Sequence, residues 1–351
     1  MLEATSELDR VRRVLCKRLL RYLDSLDPVL REDVSAALAM EGKVLHWPAS
    51  ELDGRWALLP FCLARDLRAV ADVASARADA VCDVALAMEC VVCATDLLDD
   101  VMDDDATPLV EQLGIARVLN AALALVSLSQ RMLLALLNRD LPVTLATRLM
   151  DMVQRAILQA SVGQQQDLLA ERRLACSLTR EECLEIASAK AGSLLSLACQ
   201  MGALCAGVEE MWIERCAEVG RLLGIAAQLD NDAHDLYGLL QPASQQKSQK
   251  SDLARGKKTL PIVLAAHALQ KTRTLDACAI DFRQLEMLVD EERESYLSAL
   301  REGILCTWGV ALLYRERARE HLGFLIGERA ISPALYQVLG LDDEFAEANN
   351  C

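Results

Sequence analysis

Apolar residues recur at three-to-four spacing along almost the whole chain, and runs of alternating β-branched residues are missing. That period belongs to helices with one buried face, so the pattern predicts an all-α protein. Polar or proline-bearing interruptions fall at Asp27-Pro28, His46 to Gly54, Asp104 to Pro108, Arg139 to Pro142, Pro242 to Ser251 and near Arg329 to Pro333. They leave room for about ten helices, several of them about 20 residues or longer. No short repeat and no shift of composition marks a linker, so residues 1–351 are read as a single large helical bundle. Gln241 to Lys250 is the one polar, low-complexity stretch and reads as a surface loop. Ala121 to Leu137 and Leu194 to Val208 are the most apolar segments, but serine, glutamine or arginine interrupts each before a membrane-spanning length is reached. Both are read as inner helices of the bundle, with no membrane span.

Composition narrows the function. Of the 351 residues 53% are apolar, enough for one large core, and the formal net charge is −15. Such a surface repels phosphate backbones, and no basic stripe with interleaved aromatics offsets it, so nucleic acid is excluded as a partner. An anionic substrate would need cations or metal ions against this field. The 13 cysteines are scattered, and Met1 to Asp9 carries no basic-then-apolar leader. They are read as reduced core residues of a cytoplasmic protein. Cys90 and Cys93 form a lone CxxC, for which core packing outweighs zinc or redox chemistry.

Two acidic constellations carry the chemistry. Asp96, Asp99, Asp100 and Asp103 share one helical face within ATDLLDDVMDDDATP. They close a helix at its C-terminal end, where the macrodipole disfavours anions, so a divalent cation is the natural compensation. Gln228, Asn231, Asp232 and Asp235 share a face within GIAAQLDNDAHDLYG and also follow an apolar run. One such cluster reads equally well as solvated surface. Two alike point to a pair of metal-binding walls, and oxygen-only ligands favour Mg²⁺ or Mn²⁺.

These paired motifs resemble those of the trans-isoprenyl diphosphate synthases, the polyprenyl synthetase superfamily. Asp99-Asp100-Val101-Met102-Asp103 matches the family's first Asp-Asp-x-x-Asp helix. Gln228 to Asp235 matches its second, with Asn231 where the family has its first Asp. Glu89, Gly163-Gln164-Gln165-Gln166-Asp167-Leu168, Lys190-Ala191-Gly192, Lys250 to Leu253 and Gly256-Lys257-Lys258-Thr259-Leu260-Pro261 follow in the family's order. The resemblance implies an isoprenoid-synthase fold around a central apolar cavity, usually homodimeric, with Ala121 to Leu137 a candidate interface helix. It implies three Mg²⁺ ions, held by Asp99, Asp100 and Asp103 on one wall and Asn231, Asp232 and Asp235 on the other, gripping an allylic diphosphate. Lys190 and Lys257 are the implied cationic partners; with Asp99 and Asp103 they form the catalytic set, and Gln164 and Gln228 bind substrate. Ala94, Thr95 and Val91 are expected to bound the isoprenoid tail. Because Ala94 and Thr95 are small, a C15 or C20 diphosphate is expected.

The departures matter as much. The family's second, isopentenyl diphosphate site uses an early Gly-Lys-x-x-Arg, a His seven residues before the first Asp and an Arg-Arg after the motif. Here Val92 stands at the His position, Asp104 to Pro108 holds no arginine, and Gly42-Lys43-Val44-Leu45-His46 is a partial match. The sequence therefore favours one-substrate chemistry, a class I terpene synthase on a prenyl-synthase fold. Asn231 and Asp235 fit that motif, although its third ligand falls at Leu239. Trp56, Trp212, Tyr237 and Trp308 are the aromatics available to face a carbocation. A chain-elongating prenyl diphosphate synthase, a peptide-tryptophan prenyltransferase and a catalytically dead isoprenoid-binding subunit stay open as alternatives.

Overall fold

The three-to-four periodicity is helix throughout the described part of the chain. The computed structural model describes residues 2–46, 48, 53–71, 78–139, 141–240, 255–272, 289–326 and 331–341, and among them all regular structure is helical. The polar loop at 241–250 and the Lys250 to Leu253 segment lie outside the described residues.

Helix starts follow side-chain chemistry. At α2 (Pro28–Leu38) the Asp27 carboxylate accepts from the Val29 N–H, and Pro28 occupies the first helical position. The same device, Thr107 with Pro108, starts α5 (Pro108–Leu113), and Ser332 with Pro333 starts α13 (Pro333–Leu339). Thr179 and Glu182 close a reciprocal capping box on α8 (Arg180–Ala187). The three proline-started helices fall at breaks expected from the sequence, whereas the start of α8 at Thr179 is not among them.

The chain divides into two compact units. One holds Met1–Ile157, Ser196–Val219 and His321–Cys351; the other holds Leu158–Leu195 and Gly220–Glu320. In the first unit α4 (Ala78–Met102) is the central element, and Val84 to Ala94 are buried on every face. It packs most extensively against α6 (Ile115–Leu134) and α3 (Arg55–Ala71), and also meets α1 (Leu2–Leu23) and α2. Leu15, Leu19 and Leu23 of α1 are almost completely buried, and α13 packs on α3 and α1.

Segment Ile115–Asn138 is long and apolar enough to cross a membrane by length and composition alone. Its burial is one-sided. Val118, Ala121, Ala122, Leu125, Leu128, Ser129, Met132 and Leu133 face inward, as an amphipathic core helix requires, while Ile115, Leu119 and Leu123 remain exposed.

The second unit is built from the C-terminal part of α7 (Val143–Ala170), from α8, and from the Gly220-onward part of α10 (Glu210–Leu240). It also takes α11 (Leu260–Thr272) and most of α12 (Asp290–Ile326). Ile225, Ala226 and Leu229 of α10 pack with Leu260 and Val263 of α11 and Ala311 of α12. Ala233 and Leu236 pack with Ile262, Ala266, Tyr296 and Leu300. Between α8 and α9 (Ser193–Ala206) the helix widens into one π turn, Ser188–Gly192.

Every cysteine among the described residues is a free thiol. Cys90 and Cys93 are fully buried, and burial pushes the Cys93 thiol up to about 12, which suits packing and not ligation.

Candidate active site

The first acidic motif ends α4. The Asp105 N–H reaches the Asp100 carbonyl at 2.8 Å and the Asp104 N–H reaches Val101 at 3.3 Å, a Schellman closure. Its left-handed position, φ 55°, is taken by Asp104 where glycine is usual. The turn folds the chain back, so that Asp103 and Asp105 are buried while Asp99 and Asp100 stay half-buried in the last helical turn. Asp96, one turn earlier, is paired with the buried ammonium of Lys43. Burial alone would lower that lysine's pKa; Asp96, Cys93 and Glu89 outweigh it, and the net shift is upward.

Glu89 sits deeper on α4 with no exposure. It accepts from the Val44 N–H at 2.8 Å and the Ala57 N–H at 3.1 Å, tying the segment after α2 and the start of α3 to α4. Burial raises its carboxyl to about 7, with Lys43 opposing. Asp53, also without exposure, accepts from the Gly42 N–H and contacts His46 Nδ1, each at 2.8 Å.

The three residues expected to bound the tail differ in exposure. Ala94 and Val91 have 0% exposure. They are close-packed core with no water-sized space against them, because position 99 minus five and minus eight falls on α4's inner face. Thr95, a helical step of about 100° away, is half-buried and bonds its own helix at the Val92 carbonyl, 2.9 Å.

In the second unit, four charged side chains gather. Asp167 Oδ2 receives Lys190 Nζ at 2.9 Å and lies 3.9 Å from Lys257 Nζ. Gln228 Nε2 donates to Asp232 Oδ1 at 2.9 Å. Burial pushes the Asp232 carboxyl up, to about 7; the Gln228 bond opposes this, Asp167 adds to it, and Lys190 and Lys257 pull against it. Asn231 is exposed, Asp235 half-buried, and Asp230, just before Asn231, is paired with Arg315. Gln164 is buried on α7, one turn before Asp167. Of the candidate aromatics, Tyr237 and Trp308 pack with ring centroids 5.4 Å apart, and His234 lies 5.3 Å from Trp308.

Lys190 lies in the π turn, and two glycines make room for that turn. A Cβ on Gly163 of α7 would stand 2.7 Å from the Lys190 nitrogen, and one on Gly224 of α10 would stand 2.5 Å from the Ala191 carbonyl oxygen. The lysine's backbone is thus clasped by bare helix surfaces on two sides.

Two members of these clusters carry roles that sequence reasoning did not assign. Asp167 is the shared counter-ion of both lysines; its only signal is its place in the Gly163 to Leu168 segment. Lys43 as partner of Asp96 has no local signal, since 53 residues separate them.

Among the described residues, no three His, Cys, Asp or Glu side chains converge tightly enough to hold a metal alone. Mg²⁺ is commonly held by one or two carboxylates, with substrate phosphates and water completing the octahedron. Each cluster offers carboxylate oxygens of that kind, so the donor set fits a cation completed by a diphosphate.

The profile of the family described as polyprenyl synthetase matches residues 60–289. The (2E,6E)-farnesyl diphosphate synthase of Mycobacterium tuberculosis is 33% identical over 231 residues, 64% of this chain and 60% of that protein. A geranylgeranyl diphosphate synthase of the same organism is 33% identical over 198 residues, 54% of each chain. The alignment with the farnesyl diphosphate synthase thus spans about three fifths of that relative's length. Among solved structures, a polyprenyl synthetase from Streptomyces coelicolor A3(2) matches at TM-score 0.70 and 26% identity, covering 97% of this chain and 99% of that one. A geranylgeranyl pyrophosphate synthase matches at TM-score 0.72 and 22% identity, covering 95% and 98%, and supports the fold alone.

Proposed function

Because the chain belongs to the polyprenyl synthetase family, we propose that it ionises an allylic prenyl diphosphate and transfers the prenyl group to isopentenyl diphosphate. The allylic carbon–oxygen bond breaks, a carbon–carbon bond forms, a proton is lost, and inorganic diphosphate leaves. The farnesyl and geranylgeranyl diphosphate synthases among its relatives favour this two-substrate reading over the one-substrate reading that the sequence ranks first. The observation that carries the ionisation step is the pair of lysines, Lys190 and Lys257, gathered on Asp167 beside Asp232. Two ammonium groups in a poorly solvated setting neutralise charge developing on a leaving diphosphate far better than they would in water.

In this reading Lys190 and Lys257 hold the diphosphate, and Gln228 orients the Asp232 carboxylate. Asp99, Asp100 and Asp103, together with Asn231, Asp232 and Asp235, are the proposed Mg²⁺ ligands. When bound, Mg²⁺ or Mn²⁺ supplies Lewis-acid stabilisation of the departing oxygen. Thr95 borders the tail, and Gln164 supports the substrate side of α7.

A specific observation favours the one-substrate, terpene-synthase reading as the second. Lys43, the lysine of the partial Gly-Lys match, is already neutralised by Asp96, and Val92 stands where the family has a histidine. Incubation of the purified chain with Mg²⁺ and C10, C15 or C20 diphosphate, with and without isopentenyl diphosphate, separates the two. Consumption of isopentenyl diphosphate with a longer diphosphate product is the expected result. Hydrocarbon or alcohol formed from the allylic diphosphate alone would replace it with the second reading, and no diphosphate release would sink both.

The raised Asp232 carboxyl gives a pH prediction. Its folded pKa lies above the ordinary carboxylate value, so between pH 4 and 7 the folded chain holds a proton that the unfolded chain has lost. The metal-free protein should therefore lose stability as pH rises through about 7. Mg²⁺ needs the ionised form, so apparent Mg²⁺ affinity should rise over the same interval. Asp232→Asn should flatten the Asp232 contribution to both profiles; unchanged profiles in that variant would assign the titration elsewhere.

Homodimer formation is proposed from the exposed Ile115, Leu119 and Leu123 stripe on α6. Leu123→Glu should shift the mass measured by light scattering from dimer to monomer. A wild-type monomer, or an undisturbed dimer in the variant, would refute this face.

A further inference from the structure

We propose that a cavity in the first unit, at the C-terminal half of α1, is a binding site for a compact phosphate-bearing anion, independent of metal. The proposal stands apart from the functional reading above. The cavity is open to solvent on one side, has a volume of about 310 Å³ and is lined by Arg18, Arg21, Tyr22, Ser25 and Arg131. Three arginines around one small space are unexpected in a chain of net charge −15.

Behind the lining sits Asp83, with no exposure. Its two oxygens receive Arg18 Nε at 2.5 Å and Nη2 at 2.9 Å, Arg139 Nη2 at 2.6 Å and the Tyr22 hydroxyl at 3.0 Å. One carboxylate thus serves two guanidinium groups and fixes their planes. Tyr22 remains a neutral donor, because burial, followed by Asp83, pushes its phenol up to about 12. Arg21 and Arg131 have no carboxylate partner among the described residues, and the neighbouring Asp24 is taken by Arg31 at 2.9 Å. Arg21 and Arg131 therefore bring two guanidinium groups to the cavity beyond those that Asp83 holds.

That excess chooses the ligand class. Guanidinium forks match phosphate oxygens two at a time, and an arginine held by a buried acid loses little entropy on binding. The volume lies at the small end for ligand sites, and among the described residues no large aliphatic side chain lines it. A phosphate, a diphosphate or the headgroup of an anionic lipid fits; an isoprenoid tail does not.

Calorimetric titration of the full chain with inorganic diphosphate, in EDTA so that no carboxylate-bound cation can take part, tests the site. Saturable binding is expected in wild type, weakened by salt and at least about tenfold weaker in Arg21→Ala/Arg131→Ala. Both arginines are exposed, so circular dichroism of the variant should be unchanged. Arg21→Lys/Arg131→Lys should retain charge and intermediate affinity. No heat in wild type, or equal affinity in the alanine variant, overturns the proposal. Co-sedimentation of wild type but not the alanine variant with phosphatidylglycerol vesicles, competed by diphosphate, assigns a lipid headgroup. Diphosphate binding without co-sedimentation assigns a soluble anion.

Discussion

Asp99→Ala and Asp232→Ala should each reduce Mg²⁺-dependent diphosphate release by on the order of 10²–10³-fold, the usual cost of removing one preorganised stabiliser of leaving-group charge. The two substitutions should differ in everything except that loss. Asp99 is half-buried in the last turn of α4, among like charges and against the helix dipole. Its removal should leave the melting temperature of the metal-free protein unchanged or raised. Asp232 is buried, its carboxyl pushed up to about 7, so alanine there removes a costly charge but leaves the Gln228 amide without its acceptor. Helicity should survive in both. A continuous diphosphate assay across a Mg²⁺ titration, run beside thermal melts in EDTA, reads the two effects separately. Turnover near wild type in Asp99→Ala would remove the first motif from the chemistry, and the same result in Asp232→Ala would remove the second.

The helical class was legible because burial at every third or fourth position has one structural solution, and the breaks were legible because Asp27-Pro28, Thr107-Pro108 and Ser332-Pro333 are cap chemistry. The first acidic motif stood out as charge where a helix end resists it, whereas Gln228 to Asp235 lies within α10, which runs on to Leu240. What escaped the pattern is whatever depends on partners distant in sequence. Lys43 looked like half of an anion site; its role follows only from its pairing with Asp96, 53 residues further along the chain. Asp167 stood in a recognised segment, yet nothing local says that one carboxylate serves lysines at both 190 and 257. Ala94 and Val91 were assigned by counting back from Asp99, and counting fixes a helix face without saying what packs on it. Their complete burial is a property of the whole unit. The π turn at Ser188–Gly192 is likewise invisible to periodicity, since one inserted residue among small alanines, serines and glycine leaves no gap in the apolar pattern.

That turn carries the second large effect. Gly224→Ala should cost both stability and turnover, the second by more than the first explains. The added Cβ would stand 2.5 Å from the Ala191 carbonyl oxygen, 2.6 Å from Gly192 Cα and 2.7 Å from the Ala191 carbonyl carbon. All three are backbone, so no rotamer change relieves the contact; α10 or the π turn must move. Overpacking of this kind typically costs about 1–3 kcal/mol. The displaced segment holds Lys190, whose ammonium must stay within hydrogen-bond reach of Asp167 to be where a leaving diphosphate needs it. Misplacement by about 1 Å at such a site can cost on the order of 10²-fold in rate. Gly163→Ala should behave alike, its Cβ meeting the Lys190 nitrogen at 2.7 Å from the opposite helix. Gly309→Ala supplies the control: it lies within α12, a Cβ there meets nothing within 4 Å, and the change should stabilise by up to about 1 kcal/mol through helix propensity. Thermal melts and kcat for the three variants decide the matter. If Gly224→Ala melts and turns over like Gly309→Ala, the clasp around the π turn is not what holds Lys190 in position.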